Sequence, residues 1–152
     1  MYLIFILILI LCVALDQFTK AKATFYLDVG NSQVFIPNFL DFTLAKNTGL
    51  AFSLGHGHIV LMTAISLGAT FYLIYMFIKH KPVKFILLFY VSFALLLGGA
   101  LSNILDRICR GYVIDFIEFS QFNFPVFNLA DVFIDSGIVL FLLYNYLSLK
   151  NP

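Results

Sequence analysis

Charge is what this chain has least of. Across 152 residues it carries eight acids and nine Lys or Arg, 11% in all, where a soluble domain averages about 25%. Such a surface is too poor in ions for a water-soluble globule. The net charge of +1 is scattered with no basic block, which argues against nucleic acid as a partner. Tryptophan is absent, so Phe and Tyr are left to anchor the chain at membrane interfaces. Two cysteines, Cys12 and Cys109, sit in no metal or redox spacing, and both read as small buried hydrophobes. Neither H-E-x-x-H nor G-x-S-x-G around a serine occurs, which makes zinc and serine peptidases poor fits. No repeat, low-complexity tract or linker divides residues 1–152, so one domain is expected.

Apolar residues make up 62% of the chain. A span needs about 20 of them to cross some 30 Å of hydrocarbon. Four stretches qualify or nearly do, at about 2–19, 59–78, 85–105 and 129–149. Because lipid leaves no partner for free backbone groups, each is expected to be a helix. The first stretch has no preceding Lys or Arg and no following A-x-A step, so it reads as a permanent helix, not a removable signal. Leu9-Ile10-Leu11 before Cys12 also lacks the small residues of a lipid-attachment site.

Between the first two spans, residues 22–58 are too polar to cross. Phe39 to Lys46 partly alternates and is bounded by Pro37 and Asn47-Thr48-Gly49, which argues for a strand. The expected architecture is therefore an all-α integral membrane protein of four transmembrane helices, with a small extracytoplasmic β-sheet and a second outer loop at 107–128. Phe35, Phe39 and Phe42 from the sheet, and Phe116, Phe119, Phe122 and Phe124 from the loop, are available to meet the membrane interface. Lys79, Lys81 and Lys84 crowd the short connection between the second and third spans, and Lys150 ends the fourth. That density places both termini inside, although Lys20, Lys22, Lys46, Arg107 and Arg110 on the other side oppose it by number.

Two acids stand out against this background. Asp115 follows Gly111-Tyr112-Val113-Ile114, and Asp131 closes Asn128-Leu129-Ala130 just before the last apolar run. Two carboxyl groups forced together cannot both ionise easily, so one becomes a general acid and the other a general base. That pair can activate water against an amide and protonate the departing amine. A helix N-terminal acid at Asp131 and a solvated loop acid at Asp115 explain the same residues, and spacing does not choose between the two readings. Asp135, four residues after Asp131 on the same helical face, is a second possible partner for Asp115.

Gly99, Asn103, Asp106 and Arg107 recur at helical spacing near the end of the third span, with Gly98 and Ser102 as a small-xxx-small pair. They read as packing glue, as a polar wall beside the carboxylates, or as both, with Arg107 suited to a peptide carbonyl or a phosphate. Asp16 and Lys20, four apart with the acid first, read as an ion-pair brace or as direct participants in the chemistry. Asn47 either caps a turn or reaches a substrate backbone. His56 and His58 form an H-x-H pair without a third ligand at recognisable spacing. A proton-coupled transporter using Asp131 and Asp135 is a competing class, but nothing in the chain repeats to supply an alternating pair. A noncatalytic assembly factor would tolerate Asp115→Asn.

The chain resembles the signal peptidase II family, the lipoprotein signal peptidases. The resemblance rests on five motifs in order: Asp16-Gln17-Phe18-Thr19-Lys20, Asn47-Thr48-Gly49-Leu50-Ala51-Phe52, Gly98 to Arg107, Gly111-Tyr112-Val113-Ile114-Asp115-Phe116 and Phe127-Asn128-Leu129-Ala130-Asp131. It implies an aspartyl membrane endopeptidase with Asp115 and Asp131 as the catalytic pair, choosing Asp131 over Asp135. Asn47, Gly99, Asn103, Asp106, Arg107 and Asn128 are implied around the substrate or behind the pair, and Asp16 and Lys20 in the polar framework. The implied substrate is a preprolipoprotein cut just before a diacylglyceryl-modified cysteine. The resemblance also implies no metal or organic cofactor, inhibition by globomycin-type cyclic peptides, and a place in the bacterial cytoplasmic (inner) membrane. With both termini inside, Asp131 begins the fourth span at its outer end, so the site is expected at the outer leaflet, in a multi-pass monomer among phospholipids. Two positions depart from the pattern. Ser102 stands where glycine is usual, which should be harmless, and Asp135 is an additional acid.

Overall fold

The computed structural model describes residues 1–49, 57–122 and 124–150. The apolar runs form α1 (Tyr2–Tyr26), α2 (Ile59–Lys79), α3 (Ile86–Arg110) and α4 (Leu129–Lys150). Strands β1 (Ser32–Ile36) and β2 (Leu40–Asn47) lie between α1 and α2, and β3 (Val113–Phe119) joins α3 to α4. All four helices are long and apolar enough to cross a membrane, and the protein is a multi-pass membrane protein.

The centre of the bundle is α3. Of its apolar window 56% is buried, against 11% for each of the other three, and α1, α2 and α4 all pack against it. Glycine makes two of those approaches possible. A Cβ on Gly98 would stand 2.7 Å from the Cys12 Cβ of α1, and one on Gly99 would run into the Ala130 carbonyl oxygen of α4. Small residues at such crossings let backbones meet where lipid supplies no hydrophobic drive. At the other end of the bundle, Phe89, Phe93 and Tyr144 form an aromatic core. His80 shares a 2.6 Å hydrogen bond with the Tyr144 hydroxyl there.

The sheet runs β1-β2-β3 and is antiparallel throughout. β1 and β2 form a hairpin through Pro37 and Asn38, whose φ is 58°. β2 pairs with β3 so that Ala45 faces Asp115 and Asn47 faces Val113, with an irregularity between Phe42 and Ala45. The sheet sits on the α1 end through a core of Ala23, Leu27, Leu44, Ile114 and Phe116.

Several elements differ from the sequence expectation. α1 runs on to Tyr26 instead of stopping near 19, because Ala23 and Leu27 pack on the sheet and hold the last turns helical. α3 likewise continues to Arg110, where Gly111 at φ 76° turns the chain into β3. β3 itself takes seven residues of the expected outer loop. Phe42 and Phe116 pack toward the core beneath the sheet, while Phe35, Phe39, Phe122 and Phe124 remain exposed. Cys12 is buried as expected, but Cys109 is exposed on α3.

Candidate active site

The site is assembled from the start of α4 outward. Asn128 precedes the helix, and its side-chain oxygen accepts from the Asp131 backbone N–H at 3.0 Å. Asp131 reciprocates, its carboxylate accepting from the Asn128 backbone N–H at 3.1 Å. This is a capping box with aspartate in the return position. Asp131 is thus a helix N-terminal acid, as one of the two sequence readings has it.

The other half of that reading does not hold, because Asp115 is neither in a loop nor solvated. It sits on β3 at 2% exposure. The Asn128 side-chain N–H donates to one of its oxygens at 2.6 Å, and that of Asn47 to the other at 2.9 Å. Asn128 therefore touches both acids, and Asp115 and Asp131 face one cavity of about 840 Å³. Burial pushes the Asp115 carboxyl up to about 7, helped by the nearby Asp131 charge and opposed by the Asn47 and Asn128 hydrogen bonds and the Lys20 ammonium. It exchanges its proton near neutrality.

Each amide in this set has its orientation fixed from behind. The Gly49 N–H donates to the Asn47 side-chain oxygen at 2.8 Å, so the Asn47 amide nitrogen must face Asp115. The Lys20 ammonium donates to the Asn103 side-chain oxygen at 2.8 Å, which turns the Asn103 amide N–H onto Asp131 at 2.8 Å. The same Asn103 oxygen accepts from Asn128 at 3.2 Å. A lysine has no acceptor. It therefore leaves Asn103 only one way to point.

Lys20 is fully buried, with its ammonium 2.7 Å from Asp16 and 2.9 Å from Asp106. Asp16 also accepts from Ser102 at 2.6 Å and from the Ala130 backbone N–H at 2.8 Å, joining α1, α3 and the first turn of α4. Asp106 accepts from Gln17 at 2.9 Å, from the Ile114 N–H at 3.2 Å and from Arg110. Arg107 donates to the carbonyl of Gly49 at 3.0 Å. It holds a peptide carbonyl, here one of its own chain.

The structure brings together the eight supporting residues expected from sequence and both acids. Gly99 contributes by its missing side chain, which admits the Ala130 backbone. Asp135 lines the same cavity, but it is Asp131 that shares Asn128 with Asp115. Leu50, Ala51, Phe52 and His56 lie outside the described residues; His58 precedes α2. Sequence reasoning gave no part in the polar network to Gln17, Ser102 or Arg110. The first adjoins Asp16, and Arg110 stands four residues after Asp106, which was the signal available. Ser102 is more than a small residue, since its hydroxyl donates to Asp16 and accepts from Gln17 at 3.0 Å.

The model of the family described as "Signal peptidase (SPase) II" matches residues 8–147. The chain belongs to the signal peptidase II family. Like other signal peptidases II it is a protease, and the chain is 42% identical over 143 residues to a lipoprotein signal peptidase of Francisella tularensis subsp. novicida, covering 90% of this chain and 87% of that one. It is 33% identical over 147 residues to a lipoprotein signal peptidase of Enterococcus faecalis, covering 97% and 90%. A bacterial membrane enzyme structure determined in meso at 2.3 Å superposes with a TM-score of 0.86 at 32% identity, over 97% of this chain and 90% of that chain. For a signal peptidase II with these residues, the polar cluster at the start of α4 is the natural place to look for chemistry.

Proposed function

We propose that residues 1–152 form one membrane-embedded peptidase domain that removes the signal peptide from diacylglyceryl-modified preprolipoproteins, cutting before the lipidated cysteine. Asp115 and Asp131 are the catalytic pair. The observation that supports this most directly is that one residue, Asn128, donates to both carboxyl groups, to Asp115 through its side chain and to Asp131 through its backbone N–H, and that both acids line one cavity.

The chemistry follows from their surroundings. Asp115 retains a proton near neutral pH and acts as the acid. Asp131 accepts from two N–H donors at a helix N-terminus and acts as the base. Asp131 takes a proton from water as the water oxygen attacks the scissile carbonyl carbon. Asp115 protonates the carbonyl oxygen, and that proton passes to the leaving nitrogen as the C–N bond breaks. Asn47, Asn103 and Asn128 hold the two carboxyl groups, while Asp16, Lys20, Gly99, Asp106 and Arg107 brace the helices and the Gly49 turn around them.

The lysine-rich connection between α2 and α3 lies at the end of the bundle opposite the capping box. With that connection in the cytoplasm, the acids meet the substrate at the outer leaflet of the bacterial cytoplasmic (inner) membrane. The enzyme works as a monomer among phospholipids, and globomycin-type cyclic peptides compete for its cavity. The test is purified protein mixed with lipid-modified preprolipoprotein and read by gel shift. Asp115→Asn and Asp131→Asn each abolish cleavage while the protein remains inserted. Substantial cleavage by either variant removes that residue from the mechanism.

A further inference from the structure

Asp135 is an acid within a membrane span that the chemistry above does not use. It stands four residues past Asp131 on α4, about 6 Å deeper along the helix axis. It lines the same cavity, which Ser66 and Thr70 of α2 also line. Those hydroxyls are already committed to their own helix, Ser66 donating to the Met62 carbonyl at 2.9 Å and Thr70 to the Ser66 carbonyl at 2.8 Å. Asp135 is exposed, with neither a hydrogen bond nor an ion pair among the described residues.

A carboxylate at this depth needs water or a partner. Water entering the cavity would serve it, and a substrate that fills the cavity would displace that water. An acceptor left dry then costs more than an ordinary hydrogen bond gains, so such a group selects chiefly by penalising ligands that bring it nothing. The apolar signal peptide is the part of the substrate that runs toward the membrane interior. Extended chain advances about 3.3 Å per residue, so 6 Å corresponds to about two residues from the cleaved bond.

We infer that Asp135 is a specificity-determining residue that favours signal peptides presenting a side-chain hydroxyl or amide N–H about two residues before the cut, and disfavours those that are wholly apolar there. This inference rests on the peptidase reading above. Its observation is the unpartnered carboxylate one turn below the pair, in the cavity that the pair shares.

The experiment uses the full chain in lipid–detergent micelles with lipid-modified precursors that differ only in Ser or Ala at each of the three positions before the cut. The expected result is a Ser-over-Ala preference of about tenfold in kcat/KM at one position, carried by KM. In Asp135→Leu that ratio falls to about one, and in Asp135→Asn, which keeps a carbonyl oxygen, it lies between. A wild-type ratio near one at all three positions overturns the inference, as does an unchanged ratio in Asp135→Leu. Should Asp135→Leu fail to accumulate, an unchanged ratio in Asp135→Asn overturns it instead. If the wild type cleaves no lipidated precursor, the peptidase reading itself falls; cleavage without discrimination removes only the role of Asp135.

Discussion

Replacing Lys20 by methionine tests the frame beneath the acids. The substitution keeps the length and apolar stem of the side chain and removes only the ammonium. In the wild type that ammonium is fully buried and serves Asp16, Asp106 and Asn103 at 2.7, 2.9 and 2.8 Å. Deleting one partner of a buried ion pair costs about 3–5 kcal/mol, because the other charge stays buried without compensation. Arg110 still faces Asp106, but Asp16 keeps only the Ser102 hydroxyl and the Ala130 N–H. Asp16 is thus the orphan. Equilibrium unfolding in mixed micelles should show Lys20→Met losing about 3–5 kcal/mol and the double variant Lys20→Met/Asp16→Asn recovering at least half of it. The pH profile of cleavage should move as well, since the Lys20 charge holds down the proton affinity of Asp115; its loss carries the alkaline limb to higher pH. A Lys20→Met protein within about 1 kcal/mol of wild type, the worth of an exposed pair, would refute this reasoning. So would a double variant no more stable than the single.

Cleavage should follow a bell in pH whose alkaline limb lies near 7, where Asp115 gives up its proton; kcat/KM against pH reads this for the pair as a unit. The same group bears on stability. Its folded-state value is raised from 3.8 to about 7, so the folded protein binds more protons than the unfolded chain between those limits, and stability falls as pH rises through them. Asp115→Asn should therefore be more stable than wild type at pH 8 by up to about 4 kcal/mol, at 1.36 kcal/mol per pH unit, and show no such gain at pH 4, as measured by unfolding at both. Gly99→Ala drives a methyl into the Ala130 carbonyl oxygen and should lower kcat by at least about tenfold by shifting the capping box, with insertion unchanged. Ser102→Ala removes one hydrogen bond to the Asp16 carboxylate and one from Gln17, and should cost about 1–3 kcal/mol in the same unfolding assay.

The four helices were legible because a run of about 20 apolar residues has one physical outcome in lipid. α2 and α4 begin and end within a residue of their expected bounds. The polar residues of α3 were legible for a related reason, since spacing alone puts Gly99, Asn103 and Asp106 on one side. β3 was not, because Val113 to Phe116 are all buried and the strand shows none of the alternation that marks a half-solvated one. α1 was cut short because Lys20 and Lys22 look like the end of a span. Only the fold reveals that Lys20 is interior and that Ala23 packs on the sheet. Least legible of all was Asn128, whose double attachment depends on a strand and a helix meeting 13 residues apart. The motifs of the family marked the residues, and tertiary structure supplied the reasons.

The capping box at the head of α4 has a consequence for turnover. In the proposed reaction the carboxylate that seals the helix end also receives a proton from water, and a protonated oxygen accepts more weakly than a charged one. Each catalytic cycle would then briefly slacken the first turn of α4, beside the cavity through which product departs. Chemistry and release would be linked through a single backbone N–H.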